Sequence, residues 1–306
     1  MRNPNIFLKS IKPQSLLKRS ASEAMTIGLS SKRSASFDAY NSHQGFYSSY
    51  ISCESQNLKQ NAQYIPLFKD LLLSRETFSK KQHTVFWHNY LLRTSNTIKV
   101  IAVALSRMSN LESIELIKKN LLDEVGGPSV HDIHFMLLNK SYEILSKKFD
   151  LPLVTTSTAD QSPLILKVTR RFIRDQNSLY GKSEASAIGA SFAQETLALP
   201  MLQNIFAFSE KFYKPHLTTA EWQEFSQYFD VHLDGTEKRH AEDSEAAVMK
   251  LIDFKNIEEI IHSARCFDSI QKTLWRGIHL GIIGLDRDSL SIEESSRIPT
   301  QKSFSR

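Results

Sequence analysis

The chain has 306 residues, 41% of them hydrophobic and 23% charged, enough to bury a sizeable core. Ten glycines and nine prolines are few for this length, which favours long helices over a turn-rich β fold. The net charge of +5 is confined to residues 1–50, where seven Lys or Arg face only Glu23 and Asp38, so the remaining body is formally neutral and offers no nucleic-acid groove.

Residues 1–50 are basic, Ser-rich and poor in acids, with an apolar start at Ile6–Phe7–Leu8. They are expected to form a disordered N-terminal extension or a segment that targets the chain to an organelle or for secretion. The helical body spans 51–285 as one domain. No apolar run in it approaches the roughly 20 residues that cross a bilayer. Cys53 and Cys266 are the two cysteines, too few for a disulfide framework or a thiolate zinc site, and a reducing, cytoplasmic setting follows as the default.

Within the body, three- and four-residue apolar spacing predicts helices over Leu67–Met108, Leu111–Glu124, Ser129–Phe149, Ser162–Tyr180, Ser183–Tyr213, Thr218–Phe254 and Ile257–Leu280. A break is expected at Ser74–Thr77, a kink or break at Pro200, and a stop and restart at Pro215 through Thr218 and Glu221. The tail 286–306 is polar and without periodicity. The fold class is therefore all-α, a helical bundle.

Several apolar stripes run into ligand-type residues. Trp222, Phe225 and Phe229 lead to His232; Leu251, Ala247 and Ser244 lead back to His240 and Glu237. Ile114, Ile117 and Leu121 end on Glu124, and after the break at Gly126 and Gly127 a stripe restarts at His131 and Phe135, with His134 off it. Glu195 stands between Phe192 and Leu199, with no Lys or Arg within four residues to pair with. A single buried histidine is ordinarily a hydrogen-bonded core residue. Three carboxylates and three imidazoles on inward helix faces point instead to a metal site, of the donor type that suits iron or manganese.

The order of these motifs resembles the haem-oxygenase-like di-metal oxidases: Asn120 through Glu124, a glycine break and His131, then Ala193–Glu195, then a His…acid…His segment. Within them the chain is most similar to the group that contains the Chlamydia protein associating with death domains and its bacterial relatives. The resemblance covers roughly 60–280. It implies a bundle of about seven helices and a non-haem centre of two iron ions, or iron and manganese, which activates O2. Carried over, the ligands are Glu124, His131, Glu195, His232, Glu237 and His240, with Glu195 and Glu237 bridging or chelating. The chlamydial branch further implies para-aminobenzoate formation at the expense of a tyrosine, for which Tyr64 and Tyr90 are the candidates. Implied partners are O2 and a small organic substrate, with room left for a homodimer.

The family places its acid four residues after the first histidine, a position held here by Thr236. On one ideal helix Glu237 would lie about 140° and His240 about 80° from His232, too wide for one site. Either a π-bulge at Gly235 absorbs the extra residue, or Asp234 supplies the carboxylate, or one metal position is weak; the bulge preserves the family order and ranks first. Two other functions fit the same bundle. One is a non-catalytic binding or effector protein. The other is a metal-free hydrolase of the thiaminase type, which needs a cysteine in the pocket; neither cysteine lies on a motif helix, and Cys266 with His262 one turn earlier reads as a chance pair.

Overall fold

The computed structural model describes residues 34–63, 65–73, 78–126 and 133–284, and every regular element among them is helical. The chain divides into two units, Met1–Tyr47 and Ser48–Arg306. Helix α1, Ser34–Gln63, crosses both that boundary and the expected start of the body near residue 50. In the first unit, the rings of Phe46 and Tyr47 meet edge to face at 5.7 Å.

The second unit follows as α2 (Pro66–Leu73), α3 (Lys80–Thr94), α4 (Thr97–Arg107), α5 (Leu111–Val125) and α6 (His134–Phe149). Then come α7 (Lys167–Lys182), α8 (Glu184–Phe212), α9 (Thr219–Leu233), α10 (Thr236–Leu251) and α11 (Ile257–Gly284). The longest expected stretches are subdivided, while the last helix runs four residues beyond Leu280, to Gly284. The stretch predicted over Leu67–Met108 is three helices, because Ser79 with Gln82 forms a capping box that starts α3 and Ser95–Asn96 turn the chain before α4. The break expected at Ser74–Thr77 lies outside the described residues.

The restart after Pro215 occurs as the sequence suggests. Thr218 and Glu221 bond reciprocally, Thr218 N to Glu221 Oε2 at 2.7 Å and Glu221 N to Thr218 Oγ1 at 3.2 Å. Pro200, by contrast, does not end its helix, since α8 runs through it to Phe212. Burial holds that helix in place: from Ala185 to Ala198 every residue is buried, and α8 packs against α11, α10, α7, α9 and α2. Gly189 permits the tightest of these approaches. A Cβ there would stand 2.2 Å from the Ile260 carbonyl oxygen of α11, so only glycine fits without separating the two backbones.

Candidate metal centre

The centre forms where α5, α6, α8, α9 and α10 meet. No π-bulge accommodates the extra residue at Gly235. The helix breaks there: α9 ends at Leu233, and Gly235 takes φ 112°, a conformation that side chains oppose, before α10 starts at Thr236. Asp234 is not drawn into the cluster either. Its exposed carboxylate accepts from Thr236 N at 3.1 Å and Thr236 Oγ1 at 2.9 Å, and so serves the turn. Because the chain turns, the 100° count no longer applies, and Glu237 reaches both histidines. Its Oε1 lies 3.7 Å from His232 Nε2 and its Oε2 3.9 Å from His240 Nδ1.

Glu124, Glu195, His232, Glu237 and His240 are all buried. Glu195 approaches His240 Nδ1 at 3.7 Å. The expected His131 lies outside the described residues. The imidazole found beside Glu124 is that of His134, at 3.5 Å, with its ring centroid 4.3 Å from that of His232. Two triads of ligand-type atoms result, Glu124–His134–His232 and Glu124–Glu237–His240, each within 4.8 Å internally and both sharing Glu124. His134 starts α6 four residues before Leu138, on the buried face that continues through Tyr142 and Leu145, so helical spacing could have found it.

Backbone and carboxylate partners orient the rings. His232 Nδ1 faces the carbonyl oxygen of Tyr228, which can only accept, so Nδ1 carries the proton and Nε2 presents its lone pair to the cluster. His240 is oriented the opposite way round. Its Nε2 sits 3.1 Å from Asp123 Oδ2, which leaves Nδ1 facing Glu195 and Glu237. Asn120 bridges α5 to α10 by donating to Ser244 Oγ at 3.2 Å.

The electrostatics are those of crowded acids. Burial pushes the Glu237 carboxyl well above the usual range, and repulsion from Glu195 and Glu124 pushes it further. Glu195 is also raised, first by burial, against the attraction of His240. For Glu124, burial is outweighed by the adjacent imidazole of His134 and the fields of His232 and His240, so its carboxyl is held down. Burial lowers His232 to about 4, keeping it neutral. Arg93 on α3, itself buried, opposes the rise of both Glu195 and Glu237. The stripe of Phe86 and Tyr90 steps onto Arg93 at helical spacing, the signal by which it could have been found.

Fit to a cation can be judged from what the protein leaves unsatisfied. His134 Nδ1, Glu237 Oε2 and His240 Nδ1 are buried and have no hydrogen-bond partner among the described residues. Such atoms are costly unless a further group meets them. A carboxylate-rich set with imidazoles matches iron or manganese, and it has more donors than a zinc site ordinarily uses. The residues present therefore fit a bound metal.

Of the two tyrosine candidates, Tyr64 lies outside the described residues. Tyr90 is buried and linked to the cluster through Tyr228: the hydroxyls are 2.9 Å apart, and the Tyr228 ring lies 4.4 Å from that of His232. Burial raises Tyr90 to about 12 and Tyr228 well above its ordinary value. Cys266 Sγ and His262 Nε2 do approach to 3.4 Å, on the exposed side of α11.

Two clefts border the cluster. One, of about 320 Å³, is lined by Asp123, Gly126, His134 and Arg239 among others. The second, of about 230 Å³, reaches Thr196 and Glu237. No helix among the described residues is long and apolar enough to cross a membrane.

No protein-family model matches the chain, and no curated protein matches it. Solved structures do. Two crystal structures of a CADD-like protein of unknown function from Nostoc punctiforme superpose with a TM-score of 0.62 at 16% identity. They cover 79% and 76% of this chain and 99% of the cyanobacterial one. At that identity the likeness establishes the fold, an all-α bundle of the CADD-like kind.

Proposed function

We propose that this bundle holds two metal ions, iron with iron or iron with manganese, and is an oxidase or oxygenase that uses O2 on a small organic substrate. One observation carries the reading: buried ligand atoms of His134, Glu237 and His240 lack hydrogen-bond partners among the described residues, within two triads that share Glu124. Glu124, His134 and His232 would hold one ion, with His131 as the ligand that the family pattern names in place of His134. Glu237 and His240 would hold the other, Glu195 would complete it, and Glu124 would span both.

When bound, the metal pair would supply redox equivalents and open positions for O2. The chain's own residues set the conditions. Three carboxylates offset most of the charge of two dications, and Glu195 and Glu237 give up any proton they hold as the ions enter. Tyr228 and Asp123 fix the ring orientations through His232 Nδ1 and His240 Nε2. Core aromatics, among them Phe225 and Phe229 on α9, keep bulk water from that side. Tyr228, beside His232, and Tyr90, bonded to its hydroxyl, would be oxidisable phenols in reach, and the second is the tyrosine that the resemblance implies.

The test is metal analysis of the full chain after anaerobic reconstitution with Fe(II), and with Fe(II) plus Mn(II). About two equivalents are expected, with losses in Glu195→Ala and His240→Ala. Binding of fewer than about half an equivalent by the unaltered chain would sink the reading. With metal bound, O2 consumption on addition of a reductant separates an oxidase from a metal-holding scaffold.

A further inference from the structure

The 230 Å³ cleft between α1, α8 and α10 has the composition of a ligand site. Its deep end is lined by Thr196 and Glu237, both at least 98% buried, and Thr196 Oγ1 and Glu237 Oε2 lack hydrogen-bond partners among the described residues. Leu199, Pro200 and Ala241 supply apolar wall. Its mouth carries charge of both signs. Lys238 pairs with Glu242 at 3.7 Å, while Lys59 and Glu245 have no ion-pair partner among the described residues.

The volume falls below the roughly 300–1,000 Å³ of pockets for drug-sized ligands, so the occupant is small. An apolar wall asks for a hydrocarbon body. One unpaired cation and one unpaired anion at the mouth ask for a carboxylate and an ammonium on the same molecule. A neutral hydrocarbon would leave both mouth charges unmet, and a simple amine or acid would leave one charge unmet.

We infer that this cleft binds a compact zwitterion, a short apolar body with its ammonium at Glu245 and its carboxylate at Lys59, and delivers that body toward Glu237. The inference deepens the metal-centre reading by naming a substrate class, and rests on it only for what lies beyond Glu237. The charged ends stay at the mouth, where water still screens them and their desolvation is small. The apolar end faces the candidate centre.

The experiment titrates the full-length, metal-loaded protein with three probes of one shape: L-leucine, isopentylamine and 4-methylpentanoate. Isothermal titration follows each. Leucine should bind saturably, and each single-charge probe at least about tenfold more weakly, the worth of one charged hydrogen bond. Lys59→Met and Glu245→Gln should each weaken leucine by a similar factor, and Ala241→Trp, which fills the cleft, should abolish binding. Metal content and far-ultraviolet circular dichroism are read on the same samples. Lys59 and Glu245 line the cleft mouth, outside the proposed ligand set, so their variants should keep the unaltered chain's metal content, whatever happens to Ala241→Trp. Saturable leucine binding that depends on both charges upholds the zwitterion site, even in a chain that takes up no metal. Absence of saturable leucine binding in metal-replete protein overturns it, as does equal binding of either single-charge probe, or leucine binding that both charge variants leave unchanged.

Discussion

Two buried polar regions of this bundle contain histidines, and they are built on opposite principles. Around α3, His88 offers Nδ1 to Ser162 Oγ at 2.6 Å and Nε2 to Tyr142 Oη at 2.8 Å. His83 Nδ1 meets Tyr213 Oη at 2.9 Å, and Trp87 Nε1 donates to that same hydroxyl at 2.8 Å. Every partner is neutral, and none of the atoms just named is left over. At the junction of α5, α6, α8, α9 and α10 the histidines face carboxylates, distances lengthen to 3.5–3.9 Å except for His240 Nε2 to Asp123, and three ligand-type atoms have no hydrogen-bond partner among the described residues. Burial of a histidine is thus no signal by itself. What separates a structural polar core from a candidate centre is unused lone pairs beside unneutralised acids.

The strongest way to break this contrast is to remove the residue that both triads share. Glu124→Ala should lower metal content from about two equivalents to below half, with helical content retained. His88→Phe should cost stability and leave metal content unchanged. Plasma mass spectrometry on both variants decides, and the reverse outcome would assign the centre to the wrong region.

Next in size is a proton effect in the structural region. Burial lowers His83 from 6.5 to about 4. A base whose folded pKa is depressed contributes stability above its unfolded pKa, and that contribution is lost as pH falls from 6.5 through 4. The loss amounts to about 3 kcal/mol. In His83→Phe, urea unfolding across that window should show a flatter acid limb by this amount. An unchanged slope would mean that the folded state accommodates the charged ring.

The difference between the regions also explains what the sequence could disclose. Glu195, His232 and His240 were readable because each interrupts an apolar stripe on an element whose period holds up to it. Pro215, Thr218 and Glu221 were readable because stop and cap chemistry is local. The turn at Gly235 was not, since a bulge and a break absorb one extra residue equally well, and tertiary contact of Glu237 with both histidines selects the break. His134 was missed because a stripe read back from Leu138 allows a step of three to Phe135 as well as a step of four to His134, and burial selects the second. Asp123 was hidden by being the residue before Glu124, where charge reads as a solvated face. The α3 network was invisible as a network, because hydroxyl partners such as Ser162 and Tyr142 come from distant elements.

Asp123 tests the boundary between positioning and ligation. It is half exposed and touches the candidate centre only through His240 Nε2, at 3.1 Å. Asp123→Asn keeps an acceptor but removes the charge. Partners of ligating histidines typically matter by about 10- to 100-fold in metal affinity, and the lower end is expected here because solvent screens the group. Competition with a metal-binding dye gives the ratio; an unchanged affinity would leave His240 oriented by its helix alone.

The smallest expected effect is the most discriminating for the structural region. The Tyr142 hydroxyl lies 2.8 Å from both His88 Nε2 and the Pro152 carbonyl oxygen, and His88 Nε2 is also 3.1 Å from that oxygen. Tyr142→Phe therefore removes a hydroxyl without stranding its neighbours, since His88 Nε2 can donate to Pro152 directly. The cost should be that of one net hydrogen bond, about 1 kcal/mol, rather than the larger penalty for an unsatisfied buried group. Metal content should not move. At the candidate centre no such fallback exists for Glu237 Oε2, which lacks a hydrogen-bond partner among the described residues. Glu237→Gln should accordingly leave stability of the metal-free chain level or raised while metal affinity falls, because it removes a buried acid that only a cation would satisfy. Chemical denaturation with and without metal, run on both variants, reads the contrast as opposite signs.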